Sequence, residues 1–348
     1  MYKLLSKGRK SIAIAVLTVI VLSLTQLGTS AATYTNYPEA VVVTPYGDMK
    51  ISVGFAWYTN IETTGSVVQL RVQGDLSEFG TDENLTFTGT CETVTEYNVH
   101  KVVATGLKPG TKYEYRVGDL QKGYWSTDEN SLNSVGVFET APDNEEEFTF
   151  INLGDINGST SSHMQALANS IQRVTDLFPS YKFITQNGDT VEDTKSKEKK
   201  ESQWKLFFQY VQPHLMNTTW VGTIGNHDNL PDELNYRQHF NYKPVDKDGL
   251  YFSFDYSNAH FLIIDTNNNN QKQIDWALYD VVKSNKKWNI AIFHKPLYSN
   301  GAHYAEATIR NRWSAPLCDV LGIDIMFTGH DHVYNRGYYL KDGRPVSD

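Results

Sequence analysis

Between Pro38 and Pro142 apolar and polar positions alternate in short runs, and clusters of Gly, Pro, Asn and Asp separate them. The period of two predicts strands over Lys50–Tyr58, Val67–Val72, His100–Ala104, Tyr113–Val117 and Gly136–Glu139. About 100 residues of this pattern suggest an all-β sandwich. The segment 143–147, an acidic run directly after Pro142, reads as a linker. From Phe148 the texture changes. Continuous apolar runs at Phe148–Leu153, Tyr181–Thr185, Trp220–Ile224, His260–Ile264, Asn289–Phe293 and Ile323–Phe327 alternate with segments of helical period at His163–Leu177, Gln203–His214 and Gln271–Lys283. Strands that are apolar at every position need cover on both faces, so 148–348 reads as an α/β domain, a β-sheet core flanked by helices. No internal repeat is present, and the asparagine run Asn267–Asn270 reads as a solvated loop.

The first 32 residues fall outside both patterns. Lys3, Lys7, Arg9 and Lys10 precede an apolar stretch from Ile12 to Leu24 and the small residues Thr29-Ser30-Ala31-Ala32. This reads as a secretory leader over 1–32, because the apolar run is short for a membrane anchor. The first domain is then 33–142. Loss of the leader removes four cations and no anion, which moves the formal charge from −9 to 27 minus 40, or −13. An acidic exported chain lacks the Lys/Arg stripe of a nucleic-acid binder. Cys91 and Cys318 lie in different domains with no metal-ligand spacing and read as small hydrophobes.

The candidate chemistry sits just after the apolar runs. Gly154-Asp155-Ile156-Asn157 follows the first, Gly188-Asp189-Thr190-Val191-Glu192 the second, Gly225-Asn226-His227-Asp228 the third, His294 the fifth and Gly329-His330-Asp331-His332 the sixth. Open α/β sheets bind ligands beyond the carboxyl ends of their strands, so these groups converge on one place. A Gly-Asp alone is an ordinary turn dipeptide, but the ordered set is hard to explain structurally. Its chemical logic is that of a two-metal hydrolase. Two cations about 3.5–4 Å apart repel and need an anionic bridge, for which Asp189 is the natural residue. Neutral His and Asn ligands leave residual positive charge to polarise a phosphoryl oxygen.

This set resembles the calcineurin-like metallophosphoesterase superfamily and, within it, the purple acid phosphatases. The stretch Leu107-Lys108-Pro109-Gly110-Thr111-Lys112-Tyr113-Glu114-Tyr115, with Trp57 on an earlier strand, resembles a fibronectin type III domain. Tyr113 is then the tyrosine-corner residue and Trp57 the core tryptophan. That family too places such a domain before the catalytic one, so the resemblance covers nearly the whole chain after the leader. It implies that Asp155, bridging Asp189 and His332 hold a first metal, and that Asp189, Asn226, His294 and His330 hold a second. It also implies that His227 sits beside the phosphoryl group as acid or charge stabiliser, with Asp228 orienting it. His303, beyond His294-Lys295-Pro296-Leu297-Tyr298, matches a family histidine that contacts substrate phosphate or protonates the leaving group. The implied cofactors are two metal ions, drawn from Fe, Zn and Mn. The implied protein is a secreted or cell-surface phosphatase that hydrolyses phosphate monoesters by attack of a metal-bound hydroxide. A phosphate ester is its partner, with no nucleic-acid binding as such and no stable membrane span once the leader is cleaved.

One position departs from the pattern. Purple acid phosphatases carry a Tyr three residues after the bridging Asp, where this chain has Glu192; related phosphodiesterases carry a His two residues after the first Asp, where it has Asn157. A carboxylate suits a hard cation, so Glu192 is the expected additional metal ligand, with Asn157 or water as alternatives. Without a tyrosinate the iron-loaded protein is expected to be colourless, which a visible absorption spectrum checks. Two other readings stay open: a phosphodiesterase of the same fold, and a surface-binding protein with a vestigial metal site. The loops 193–202, 229–248 and 267–271 would set specificity, and their composition favours no particular substrate. Asp348 follows His332 by only 16 residues, where the family usually continues with further strands, so the chain reads as C-terminally incomplete.

Overall fold

The computed structural model describes residues 34–94, 96–144, 147–232, 234–246, 250–303, 307–338, 340–341 and 344–345; the expected leader lies outside them. Ten strands come from the first part of the chain: β1 (Glu39–Pro45), β2 (Gly47–Asp48), β3 (Ser52–Asn60), β4 (Val67–Val72), β5 (Thr86–Thr88), β6 (Thr90–Val94), β7 (Tyr97–Thr105), β8 (Lys112–Asp119), β9 (Tyr124–Trp125) and β10 (Gly136–Glu139). Two antiparallel layers, β1-β3-β7-β6 and β10-β8-β4-β5, face each other as the expected sandwich. Val41, Val43, Phe55 and Trp57 from one layer pack on Leu70, Tyr113, Tyr115 and Phe138 of the other. Trp57 is fully buried and stacks on His100. The Lys108 N–H donates to the Tyr113 hydroxyl at 3.0 Å, the hydrogen bond of a tyrosine corner.

The second part supplies β11 (Ile151–Leu153), α1 (Ser161–Leu177), β12 (Phe183–Gln186), α2 (Lys197–Leu215), β13 (Thr219–Gly222), α3 (Leu234–His239), β14 (Phe252–Tyr256), β15 (Ala259–Ile264), α4 (Gln271–Ser284), β16 (Trp288–Phe293), α5 (Ala307–Ser314) and β17 (Ile325–Phe327). Strands β11, β12 and β13 are parallel, as are β15, β16 and β17. Alternation along β15 shows why its sequence is apolar throughout. Phe261 and Ile263 join the core between the two sheets, whereas Leu262 and Ile264 pack with Ile274, Ala277 and Trp313 from the helices. Phe183 and Phe254 meet Phe261 with ring centroids 5.3 and 4.7 Å away.

Strand β1, unrecognised in the sequence pattern, joins the two halves. It pairs with β3 on one side and, through Val43 and Thr219, runs parallel to β13 on the other. One seven-stranded sheet, β11-β12-β13-β1-β3-β7-β6, therefore crosses from one half to the other. Helix α2 also starts earlier than its apolar period, because Ser196 caps it by accepting the Lys199 N–H at 3.2 Å.

A half-buried ion cluster fastens α4 to the second sheet. His260 on β15 sits between Asp255 (Nδ1 to Oδ1, 2.7 Å) and Asp280 (Nε2 to Oδ2, 3.1 Å), while Lys286 approaches Asp255 at 3.8 Å and Lys283 also faces Asp280. Burial opposes the imidazolium, but the two carboxylates outweigh it and raise the pKa to about 9. A raised folded-state pKa stabilises fully below the unfolded value, and that contribution disappears as pH climbs through about 9. Wild type is therefore expected to exceed His260→Asn in unfolding free energy at pH 6 by on the order of 2–3 kcal/mol. Urea titrations at pH 6 and pH 10 check this; a difference that stays constant or widens at pH 10 contradicts it.

Candidate metal centre

Residues that follow β12, β13, β16 and β17 line one shallow cavity of about 280 Å³, among them Asp189, Asn226, His227, His303, His330 and His332. A larger groove of about 530 Å³ beside Tyr46, Lys101 and Tyr242 lies apart from these strand ends. One ligand atom each from Asp189, His294 and His330 falls within 4.8 Å of the other two. His294 Nε2 is 3.1 Å from Asp189 Oδ2, 3.0 Å from Asn226 Oδ1 and 3.2 Å from His330 Nδ1. Beside this group, His332 Nε2 lies 3.3 Å from Asp155 Oδ2.

The donor set fits cations. His294 Nδ1 lies 2.9 Å from the Asn187 carbonyl and donates its proton there, which leaves Nε2 as the ligand atom. Asp155 Oδ1 is buried without a hydrogen-bond partner, an oxygen that a cation would satisfy. Burial, the largest influence, pushes the Asp155 carboxyl above the usual range; His294 counters this and Asp189 adds to it. Burial also raises Asp189, but the His294 hydrogen bond and charge together with His227 bring it below its ordinary value. His294 responds in reverse: burial disfavours its charge, yet Asp189 and Asp155 raise its pKa. The positive charge these carboxylates favour at Nε2 is one a metal ion can supply.

Backbone conformation brings these groups this close. Asp189, His330 and His332 all have positive φ (53°, 76° and 52°), rare for side-chain-bearing residues and typical of strained functional turns. A Cβ on Gly225 would lie 2.0 Å from Asp189 Oδ1, and one on Gly329 would lie 2.0 Å from Asp155 Oδ1. Glycine at both places is therefore a condition for the carboxylates to sit where they do.

The other candidates take different positions. His227 lies at the rim, its backbone N–H donating to Asp189 Oδ1 at 2.8 Å and its Nε2 3.8 Å from Asp189 Oδ2. Glu192, expected as an additional metal ligand, has its Oε1 3.0 Å from His227 Nδ1, a nitrogen that also receives the Asp193 N–H at 3.0 Å, while Asn157 takes a positive φ of 46°. Asp228, expected to orient His227, points the opposite way. It is fully buried and accepts the N–H groups of Gly225 (2.9 Å) and Val191 (3.2 Å), and burial raises its pKa to about 6. Adjacent side chains on this turn face opposite sides, so the rim carboxylate, not the buried one, meets the imidazole. The His303 ring lies 4.2 Å from that of His330, and its backbone N–H donates to Asp331 Oδ1 at 2.7 Å.

Several contributors had no sequence signal of their own. Asp331 anchors the His303 loop from within the Gly-His-x-His segment, and buried Lys200 bonds the carbonyls of Glu192 and His227. The asparagine run is not merely solvated. Asn267 donates to the Gly225 carbonyl, Asn269 accepts from Trp313 Nε1 and Asn270 caps α4.

Comparison with known proteins shows the family. Residues 38–131 match the purple acid phosphatase N-terminal domain and residues 137–334 the calcineurin-like phosphoesterase family. Purple acid phosphatase 18 of Arabidopsis thaliana is 25% identical over 328 residues, covering 89% of this chain and 68% of the relative. Phosphoenolpyruvate phosphatase of Allium cepa is 22% identical over 272 residues, covering 70% of this chain and 51% of the relative. The chain thus spans between about half and two thirds of the length of these relatives. A solved purple acid phosphatase from seeds of yellow lupin (Lupinus luteus) shares the fold with a TM-score of 0.68 at 14% identity, over 85% of this chain and 58% of that one.

Proposed function

We propose, from the premise that this chain belongs to the calcineurin-like phosphoesterase family and is purple acid phosphatase-like, that it is an exported hydrolase of phosphate monoesters. The family implies a dinuclear metal centre. The observation that carries the reading is the grouping of Asp189, Asn226, His294 and His330 on one side and Asp155 with His332 on the other. In this proposal the first group would hold one cation and the second group the other, with Asp189 placed to serve both; the pair is drawn from Fe, Zn and Mn. Bound cations would supply the activated water and the positive charge that draws a phosphoryl oxygen.

The remaining chemistry belongs to side chains at the rim. The Asp193 N–H and Glu192 both meet His227 at Nδ1, which leaves Nε2 to give a proton to the departing oxygen or to stabilise phosphoryl charge. His303, held by Asp331 through its backbone, offers a second imidazole on the leaving-group side. Buried Asp228 serves as a brace for the turn rather than as a catalytic group. Export rests on the leader pattern of 1–32; among the described residues no helix is long and apolar enough to cross a membrane.

A panel of an aryl phosphomonoester and a bis-aryl phosphodiester tests the reading with metal-loaded protein. The monoester is expected to have the higher kcat/KM by roughly tenfold or more. The reverse order supports the phosphodiesterase alternative, to which the absence of Tyr at position 192 points. No hydrolysis and no bound metal would favour the surface-binding reading.

A further inference from the structure

We infer that Lys200 is a positioning residue of this centre, tying the loop after β12 to the loop after β13 and so holding His227 against Glu192. The inference rests on the phosphoesterase reading above. Lys200 stands in the first turn of α2 with its side chain fully buried. Its ammonium donates to the Glu192 carbonyl at 2.7 Å and to the His227 carbonyl at 2.6 Å. These carbonyls belong to separate loops, and the side chains of the same two residues meet 3.0 Å apart, Glu192 Oε1 to His227 Nδ1. One cation therefore clamps the backbone on both sides of the carboxylate–imidazole pair.

Helix stability does not explain a lysine here. A cation in the first turn opposes the helix dipole, and a buried ammonium is costly unless its hydrogen bonds are satisfied. Burial holds the Lys200 ammonium below the usual lysine range, the charges of Asp228, Asp193, Asp189 and Glu192 partly offset this, and charge-assisted bonds to two carbonyls are short and directional. The metal-ligand side chains do not bond to Lys200 Nζ: Asp189 receives the His227 N–H and meets His294, and Asp155 receives the His330 N–H. Loss of the lysine should therefore displace His227 and leave the ligand cluster able to take up metal.

Lys200→Met, His227→Ala and the double variant form the test. Lys200→Met is expected to keep the metal stoichiometry of the wild type and to lose about 10- to 100-fold in kcat/KM. In the His227→Ala background the same change should cost less than about threefold, because the residue through which it acts is gone. A second readout needs no turnover. In metal-free protein the ring NMR signals of His227 should move in Lys200→Met while those of His260 stay in place. Should the methionine variant not fold, Lys200→Gln, which keeps a donor but no charge, carries the same cycle with a smaller loss. Equal losses in both backgrounds, or unchanged His227 ring signals, overturn the inference. Wild-type protein that hydrolyses no phosphate ester defeats the functional reading instead, and the ring signals still report on Lys200.

Discussion

Asp189→Ala is expected to lower hydrolysis of an aryl phosphate by about a thousandfold or more, with bound metal falling below two equivalents per chain. Asp189 is nearly fully buried, meets His294 Nε2 through one oxygen and receives the His227 N–H on the other. Under the proposed function its removal would leave two cations without the carboxylate between them that offsets their mutual repulsion. Asn226→Ala would remove a proposed neutral ligand and should also abolish turnover, while costing less metal than Asp189→Ala. Metal analysis and steady-state rates on folded variants check both; retained activity in either removes the assignment.

Gly225→Ala is expected to lower activity by more than about a hundredfold through a single added methyl group. The new Cβ would lie 2.0 Å from Asp189 Oδ1 and 2.2 Å from the Asp189 backbone nitrogen. Swinging the carboxylate away relieves only the first contact. The second requires the turn to move, and that turn already holds Asp189 at φ 53° and connects to a parallel strand. Forced shifts of this kind typically cost about 1–3 kcal/mol. Gly337→Ala is the control, since nothing lies within 4 Å of its added Cβ; it should change stability by less than about 0.5 kcal/mol. Denaturant titration and turnover of the two variants separate a local clash from a general intolerance of alanine.

The strand-end chemistry was legible because its geometry is local. Each candidate ligand follows an apolar run directly, and parallel strands deliver their carboxyl ends to one edge whatever the loops between them do. Val67–Val72 and Gly136–Glu139 are strands with the bounds that alternation gave them. Strand β1 escaped because nothing in its valine run indicates a place between β3 and β13; only the finished sheet reveals it. Glu192 and Asp228 show the same limit at atomic scale. A carboxylate near a histidine in sequence announces a possible pair, but which one turns towards the ring depends on which side of the turn is buried. Lys200 was illegible for a related reason, since in a run of surface-type lysines burial is decided by the loops packed over the helix.

The most direct test of a dinuclear phosphoesterase is a metal titration of chelator-stripped wild-type protein, with aryl phosphate hydrolysis followed at each addition. Activity should be absent without metal and should rise to a plateau at two equivalents per chain. Hydrolysis that survives complete removal of metal, or protein that takes up no metal and hydrolyses nothing, would contradict it.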